Sequence, residues 1–177
     1  MIKKINRVNA GISTSRPVKV LQFGEGNFLR AFVDWVIDIL NEKTDFNGAI
    51  QIIQPIPLGM AKAINDQDGL YHVILNGLTN GKMVNETRLI TSVVGAMNPY
   101  EDFTKFLSLA ENPDLKFIFS NTTEAGISFD ERDTSSTQLP HSFPGKLTLL
   151  LYHRFRFFQG SAEKSLTIIP CELIDKN

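Results

Sequence analysis

Apolar residues Val18, Val20, Leu21 and Phe23 form a nearly continuous run, the pattern of a short strand covered on both faces. Directly after it the period changes. Phe28, Leu29, Phe32, Val33, Val36, Ile37 and Leu40 recur in steps of one, three and four, which predicts a helix with one buried face. Asp34 and Asp38 fall on the opposite side of that helix. Residues 49–53 predict a second strand, stopped by Pro55 and Pro57, because proline cannot join a central ladder. Strand, helix and strand make one right-handed βαβ unit.

The alternation continues along the chain. A loop with a short helical piece spans 55–69, and strands at 70–75 and 83–90 flank Asn80-Gly81, a two-residue hairpin signal. Residues 91–94 end a further strand. A helix at 100–110 turns Phe103, Phe106, Leu107 and Leu109 inward, and 115–120 is a buried strand. After a polar stretch at 130–142, Pro144 opens a helix striped by Leu147, Leu150, Leu151, Phe155 and Phe158; a last strand covers 166–170. The order predicts an α/β fold: a doubly wound, Rossmann-like, mostly parallel sheet with an inserted antiparallel hairpin.

In such sheets ligands bind outside the carboxyl ends of the strands. The loops expected there carry the candidate chemistry. Between the first strand and first helix stands Gly24-Glu25-Gly26. Gly24 permits a tight turn, Gly26 lets a phosphate approach bare backbone, and Asn27 is placed to cap the helix. A pyrophosphate would sit on Gly24, Gly26, Asn27 and Phe28, at the positive end of the helix, and Arg30 could reach the phosphate or simply be solvated. Gln22, Phe23, Glu25 and Leu29 complete this cofactor-binding segment. Leu29 stands where the common fingerprint has a third glycine. A plain strand-to-helix turn is the competing reading. Gln54 occupies the place of the acid that usually grips the adenosine ribose; an amide there leaves NAD and NADP both open. Val93, with Asn121, Thr122, Thr123 and Glu124, would line the nicotinamide side, although Thr122 or Thr123 could equally be a helix N-cap. Cys171 reads as a small buried hydrophobe.

Composition narrows the classes. The chain has 177 residues, enough for one domain, and a net charge of −1, which offers no bulk attraction to nucleic acid or membrane. No apolar run approaches the roughly 20 residues that span a bilayer, and 1–16 lack the apolar block of a signal peptide. One cysteine excludes an internal disulfide, and the three histidines show no metal-ligand spacing. A cytoplasmic, metal-free protein is expected.

Phe23-Gly24-Glu25-Gly26-Asn27-Phe28-Leu29-Arg30-Ala31-Phe32 resembles the Gly-x-Gly-x-Phe-x-Arg-Ala signature of the mannitol dehydrogenase family, the polyol-specific long-chain dehydrogenases. Gln67-Asp68-Gly69-Leu70-Tyr71 is similar to a second segment of that family. Residues 170–177 resemble its Cys-acid-Asn-Ile-x-x-Asn-Gly stretch, with Leu173 in place of the first Asn and Asn177 matching the second. The resemblance covers nearly the whole chain and is strongest to the hexuronate branch. It implies an NAD-dependent oxidoreductase that moves a hydride to or from a small sugar acid. It also implies that residues 1–177 are the N-terminal cofactor domain, with Asn177 at the substrate. The family's catalytic lysine belongs to a helical C-terminal domain, so no catalytic residue is expected here, and that domain is the expected partner. The alternatives are a mannitol- or fructuronate-type domain, a methyltransferase-like binder of S-adenosylmethionine, and a non-catalytic nucleotide-binding module.

Overall fold

The computed structural model of the protein describes residues 5–174. Five parallel strands form one sheet in the order β5-β2-β1-β6-β7. They are β1 (Val18–Phe23), β2 (Ala49–Ile53), β5 (Val93–Met97), β6 (Phe117–Ser120) and β7 (Thr167–Pro170). The chain leaves β1 toward β2 and β5, then crosses back to β6 and β7, so the order reverses beside β1. The expected doubly wound α/β architecture is what the chain adopts.

Alternating side chains of each strand feed two cores, one on each face of the sheet. On one face Val20, Ile50 and Ile52 pack with Leu29, Val33 and Ile37. On the other, Leu21, Phe23, Ile53 and Ile118 pack with Phe106 and Leu150. The first face is covered by α1 (Asn27–Ala31) and α2 (Val33–Lys43), the second by α4 (Phe103–Ser108) and α5 (Phe143–Phe157). A short helix, α3 (Ala61–Asn65), follows β2. The hairpin β3 (Tyr71–Thr79) and β4 (Lys82–Ile90) forms its own two-stranded antiparallel sheet. Asn80 and Gly81, at φ 52° and 75°, make its turn. None of the described helices is long and apolar enough to cross a membrane.

Two expectations about helix faces fail for one reason: a second layer covers the outer side. Asp34 and Asp38 are buried, because the hairpin packs against α2 and brings donors to both. Phe28 and Phe32 are instead about half exposed. The predicted single helix breaks at Phe32, whose φ of −112° and ψ of −70° separate α1 from α2. In α5 the striped Phe155 is exposed, whereas Arg154 is buried. The Arg154 guanidinium donates to the carbonyls of Ala110, Asn112 and Lys164 at 2.7–2.9 Å, so a cation holds together the turns at the end of α4 and before β7. Residues 91–94 do not end a strand; β5 begins at Val93.

Candidate functional site

Phe23, Ile53, Met97 and Ser120 mark the carboxyl edge of the sheet. At the centre of this edge the chain turns from β1 into α1. Gly24 has φ +131°, and a β-carbon on it would meet Leu29 Cδ1 at 3.2 Å, so the buried Leu29 side chain fills the space beneath the turn. The Gly24 N–H is spent on the Ile53 carbonyl at 3.1 Å and is not free for a ligand. Gly26 is different. It is exposed, a β-carbon on it would meet nothing within 4 Å, and as N-cap of α1 it has no side chain capping the helix. No side chain caps the amides that open α1. Asn27 and Phe28 are exposed beside it. The Phe28 ring rests on Phe32 with centroids 5.6 Å apart.

The rest of the predicted segment supports the turn rather than facing outward. Phe23 is fully buried between Phe106 and Phe143. Gln22, also fully buried, donates from Nε2 to the Gly24 carbonyl at 3.1 Å. Arg30 donates from Nε to the Glu25 carbonyl at 2.9 Å and from Nη2 to Asn27 Oδ1 at 2.6 Å. Glu25 turns inward: Oε1 accepts from the Met60 N–H at 3.3 Å, Oε2 has no partner, and burial pushes its carboxyl above the ordinary range.

Gln54, the expected ribose contact, lies directly after β2. It is 2% exposed. Its Nε2 donates to Ile56 O at 2.8 Å and Pro57 O at 3.1 Å, and its Oε1 accepts from Ala61 N at 3.1 Å. Both donor hydrogens are used in folding the loop after β2 back on itself. Val93, expected on the nicotinamide side, is the first residue of β5. It pairs with Ile50 near the start of β2, so it lies toward the amino edge, fully buried, with its carbonyl accepting from Arg7 at 2.8 Å.

Two cavities lie along the carboxyl edge. One, of about 540 Å³, opens beyond β2 and β5 and is lined by Gln54, Leu58, Gly59, Met97, Asn98 and Glu101 among others. A second, of about 590 Å³, opens toward β6 and includes Pro55, Tyr100, Asn121, Thr122, Thr123 and Ser142 in its lining. The loop after β6 is held from β7: the Ser120 hydroxyl and the Thr122 N–H both donate to the Glu172 carboxylate, and the Asn121 amide donates to the Cys171 carbonyl. Cys171 N–H returns a bond to Ser120 O at 2.8 Å. Glu172 is a candidate that the sequence reading did not single out, although it stands at the acid of the Cys-acid-Asn-Ile stretch. Thr122 Oγ1 is buried without a partner beside this cavity. Thr123 Oγ1 accepts from Gly126 N at 3.3 Å, the capping alternative, on a single 3-10 turn at Glu124–Ile127. The Glu124 side chain and Asn177 lie outside the described residues. Cys171 packs against the core, and burial raises its thiol, as a small hydrophobe requires.

An open helix start and two cavities on the same sheet edge fit a dinucleotide, with a bare glycine for the pyrophosphate. Comparison with known proteins agrees. The family model of the mannitol dehydrogenase Rossmann domain matches residues 18–177. The altronate oxidoreductase of Phocaeicola vulgatus is 51% identical over 176 residues, 99% of this chain and 36% of that protein. That of Yersinia enterocolitica is 52% identical over 164 residues, 92% of this chain and 34% of that protein. The chain thus spans about a third of the length of these relatives. Among solved structures, Pseudomonas fluorescens mannitol 2-dehydrogenase in complex with NAD and D-mannitol superposes at TM-score 0.76 with 17% identity, covering 96% of this chain and 39% of that one. A substrate-free D-sorbitol dehydrogenase gives 0.75 with 18% identity, over 97% and 40%. At such identities the two structures speak for the fold alone.

Proposed function

We propose that this chain, which belongs to the mannitol dehydrogenase family, is the cofactor-binding part of an NAD-dependent oxidoreductase that interconverts D-tagaturonate and D-altronate. The observation that carries the cofactor half of this reading is the exposed, uncapped start of α1 at Gly26, on the carboxyl edge of a sheet that also carries two cavities. The substrate half rests on the likeness to altronate oxidoreductases.

Each residue has a physical task in this reading. The N–H groups of Gly26, Asn27 and Phe28 would receive the pyrophosphate, favoured by the helix start. Gln22 and Leu29 hold the turn from below. The cavity beyond β2 and β5 would take the adenosine, and the one toward β6 the nicotinamide end. There Thr122 is held by the carboxylate of Glu172 and Asn121 by the Cys171 carbonyl. The nicotinamide, when bound, supplies the hydride acceptor or donor. Orientation and exclusion of water fall to the protein, while the general base and most of the sugar-acid pocket would come from a further helical domain.

Calorimetric titration of the 177-residue chain with NADH and with S-adenosylmethionine tests the cofactor half. Saturable NADH binding without turnover of tagaturonate is expected. Preference for S-adenosylmethionine, or no nucleotide binding, would end the reading. Turnover by this chain alone would overturn the division of labour between domains.

A further inference from the structure

Among the described residues, Arg132 is the only lysine or arginine lining the cavity toward β6, beside the uncharged Asn121, Thr122 and Thr123. It stands on the loop between the 3-10 turn at Glu124–Ile127 and α5, and its side chain is 70% exposed. Asp130, also in the lining, grips it along one edge: Nε donates to Oδ1 at 2.9 Å and Nη2 to Oδ2 at 2.6 Å. A guanidinium has a second edge of the same shape. Here that edge, Nη1 with the remaining Nη2 hydrogen, has no partner among the described residues. Such a planar fork takes a carboxylate through two parallel bonds.

We propose that Arg132 reads the carboxylate of the sugar-acid substrate, with Asp130 as the positioning residue that holds the guanidinium. The inference rests on the function proposed above and names the part of the sugar-acid pocket that this chain supplies. With the nicotinamide in this cavity, the sugar acid must lie at the same opening, because a hydride passes only between atoms held in contact. There a carboxylate gains two charge-assisted bonds from the open edge of Arg132, while a neutral polyol brings only hydroxyls. Asp130 cancels part of the charge, and solvent screens an exposed side chain. What it leaves is the geometry of the fork, which a carboxylate matches and a lone hydroxyl does not. The bonds from Arg132 hold the Asp130 carboxyl below its ordinary range, so the clamp on the guanidinium stays ionised at neutral pH.

The test is an NMR titration of the NADH-loaded chain with D-altronate, D-gluconate and D-altritol. NADH and altronate are both reduced and cannot react, and altritol keeps the hydroxyls of altronate without its carboxylate. Altronate should bind about tenfold more tightly than altritol. Arg132→Gln should remove that difference and leave altritol as it was; Arg132→Lys, which keeps the charge without the fork, should restore only part of it. Equal affinities for altronate and altritol, a variant that loses both alike, or no sugar bound by a chain that holds NADH would each overturn the role of Arg132 and leave the cofactor reading intact. Gluconate bound through Arg132 while altronate is refused would keep that role and end the tagaturonate–altronate assignment. If NADH itself does not bind, the cofactor reading falls and takes this inference with it.

Discussion

The Tyr71 hydroxyl donates to Asp34 Oδ2 at 2.6 Å and lies 3.0 Å from the Arg30 carbonyl. One phenol thus ties the base of the β3–β4 hairpin to the helix segment that opens at Gly26. The Arg30 guanidinium lies over the same ring at 5.3 Å. Asp34 is fully buried, and desolvation raises its carboxyl to about 7 against the pull of Tyr71 and Arg30. Its Oδ1 has no partner, nor has Oε1 of the neighbouring Gln22. A proton on Asp34 supplies a donor where two acceptors stand without one.

Stability should therefore fall as pH rises through this group. In the unfolded chain an aspartate titrates near its ordinary value of about 4. Between about 4 and 7 the folded state binds a proton that the unfolded state has released, so folding is favoured at the acidic end of that window. Above the folded value the buried carboxylate must carry its charge, at a cost of a few kcal/mol. Asp34→Asn keeps an acceptor for Tyr71 and adds a permanent donor. Urea unfolding at about pH 5 and pH 8 should show the chain losing stability relative to Asp34→Asn across that range. A constant difference between the two proteins would mean that Asp34 stays ionised throughout.

Two glycines, one at the site and one away from it, should respond oppositely to alanine. Gly69 has φ +76°, and a β-carbon there would lie 2.4 Å from the Val93 carbonyl oxygen. Gly69→Ala should cost ~2 kcal/mol or more from backbone strain and overlap. Gly26 has an ordinary φ of −68° and open space around it. Gly26→Ala should change stability by no more than ~1 kcal/mol, yet weaken NADH by about tenfold if the pyrophosphate lies against that amide. Thermal melts and nucleotide titrations of the two variants separate these effects. Equal NADH affinity in Gly26→Ala would move the phosphate elsewhere.

Glu172 offers a test confined to one end of the cofactor. Its carboxylate fixes Ser120 and Thr122 at the end of β6, far in strand order from the cavity beyond β2 and β5. Glu172→Ala leaves those donors without their acceptor, at a cost of ~1–3 kcal/mol. NADH affinity should fall, while ADP, which carries no nicotinamide, should bind as before. Equal losses for both ligands would show a general loosening of the fold instead.

The strands around the first turn were legible because they are short apolar runs bounded by glycine and proline, a local signal. Gly26 was legible for the same reason. Asp34 and Asp38 were not, since their burial depends on a hairpin that arrives more than 30 residues later in the chain. The hydrogen bonds of Gln54 to its own loop were not legible from its position after the strand. The place of Val93 at the start of β5 was not legible, because a short run of apolar residues carries no mark of where the strand begins. Glu172 reaches Ser120 and Thr122 across about 50 residues of chain, and nothing in the sequence next to it points to those partners.

The buried charge pair between α2 and β4 gives the last expectation. Asp38 is 6% exposed; its Oδ2 accepts from Arg88 Nε at 2.8 Å, and its Oδ1 accepts from the N–H and hydroxyl of Thr91, both at 2.9 Å. Arg88 also reaches the exposed Glu42 at 2.6 Å. These two contacts of one guanidinium differ in worth. Removing Glu42 deletes a solvated ion pair, so Glu42→Ala should cost no more than ~0.5 kcal/mol and less in high salt. Arg88→Met keeps much of the aliphatic packing but strands the Asp38 carboxylate with only Thr91 as donor. That change should cost ~1–3 kcal/mol, below the figure for a fully buried pair because Arg88 is a quarter exposed. Urea midpoints of the two variants, taken at low and high salt, give the ordering directly. Similar costs for both would mean that Thr91 alone satisfies Asp38, and that the hairpin is held to α2 by its apolar contacts instead.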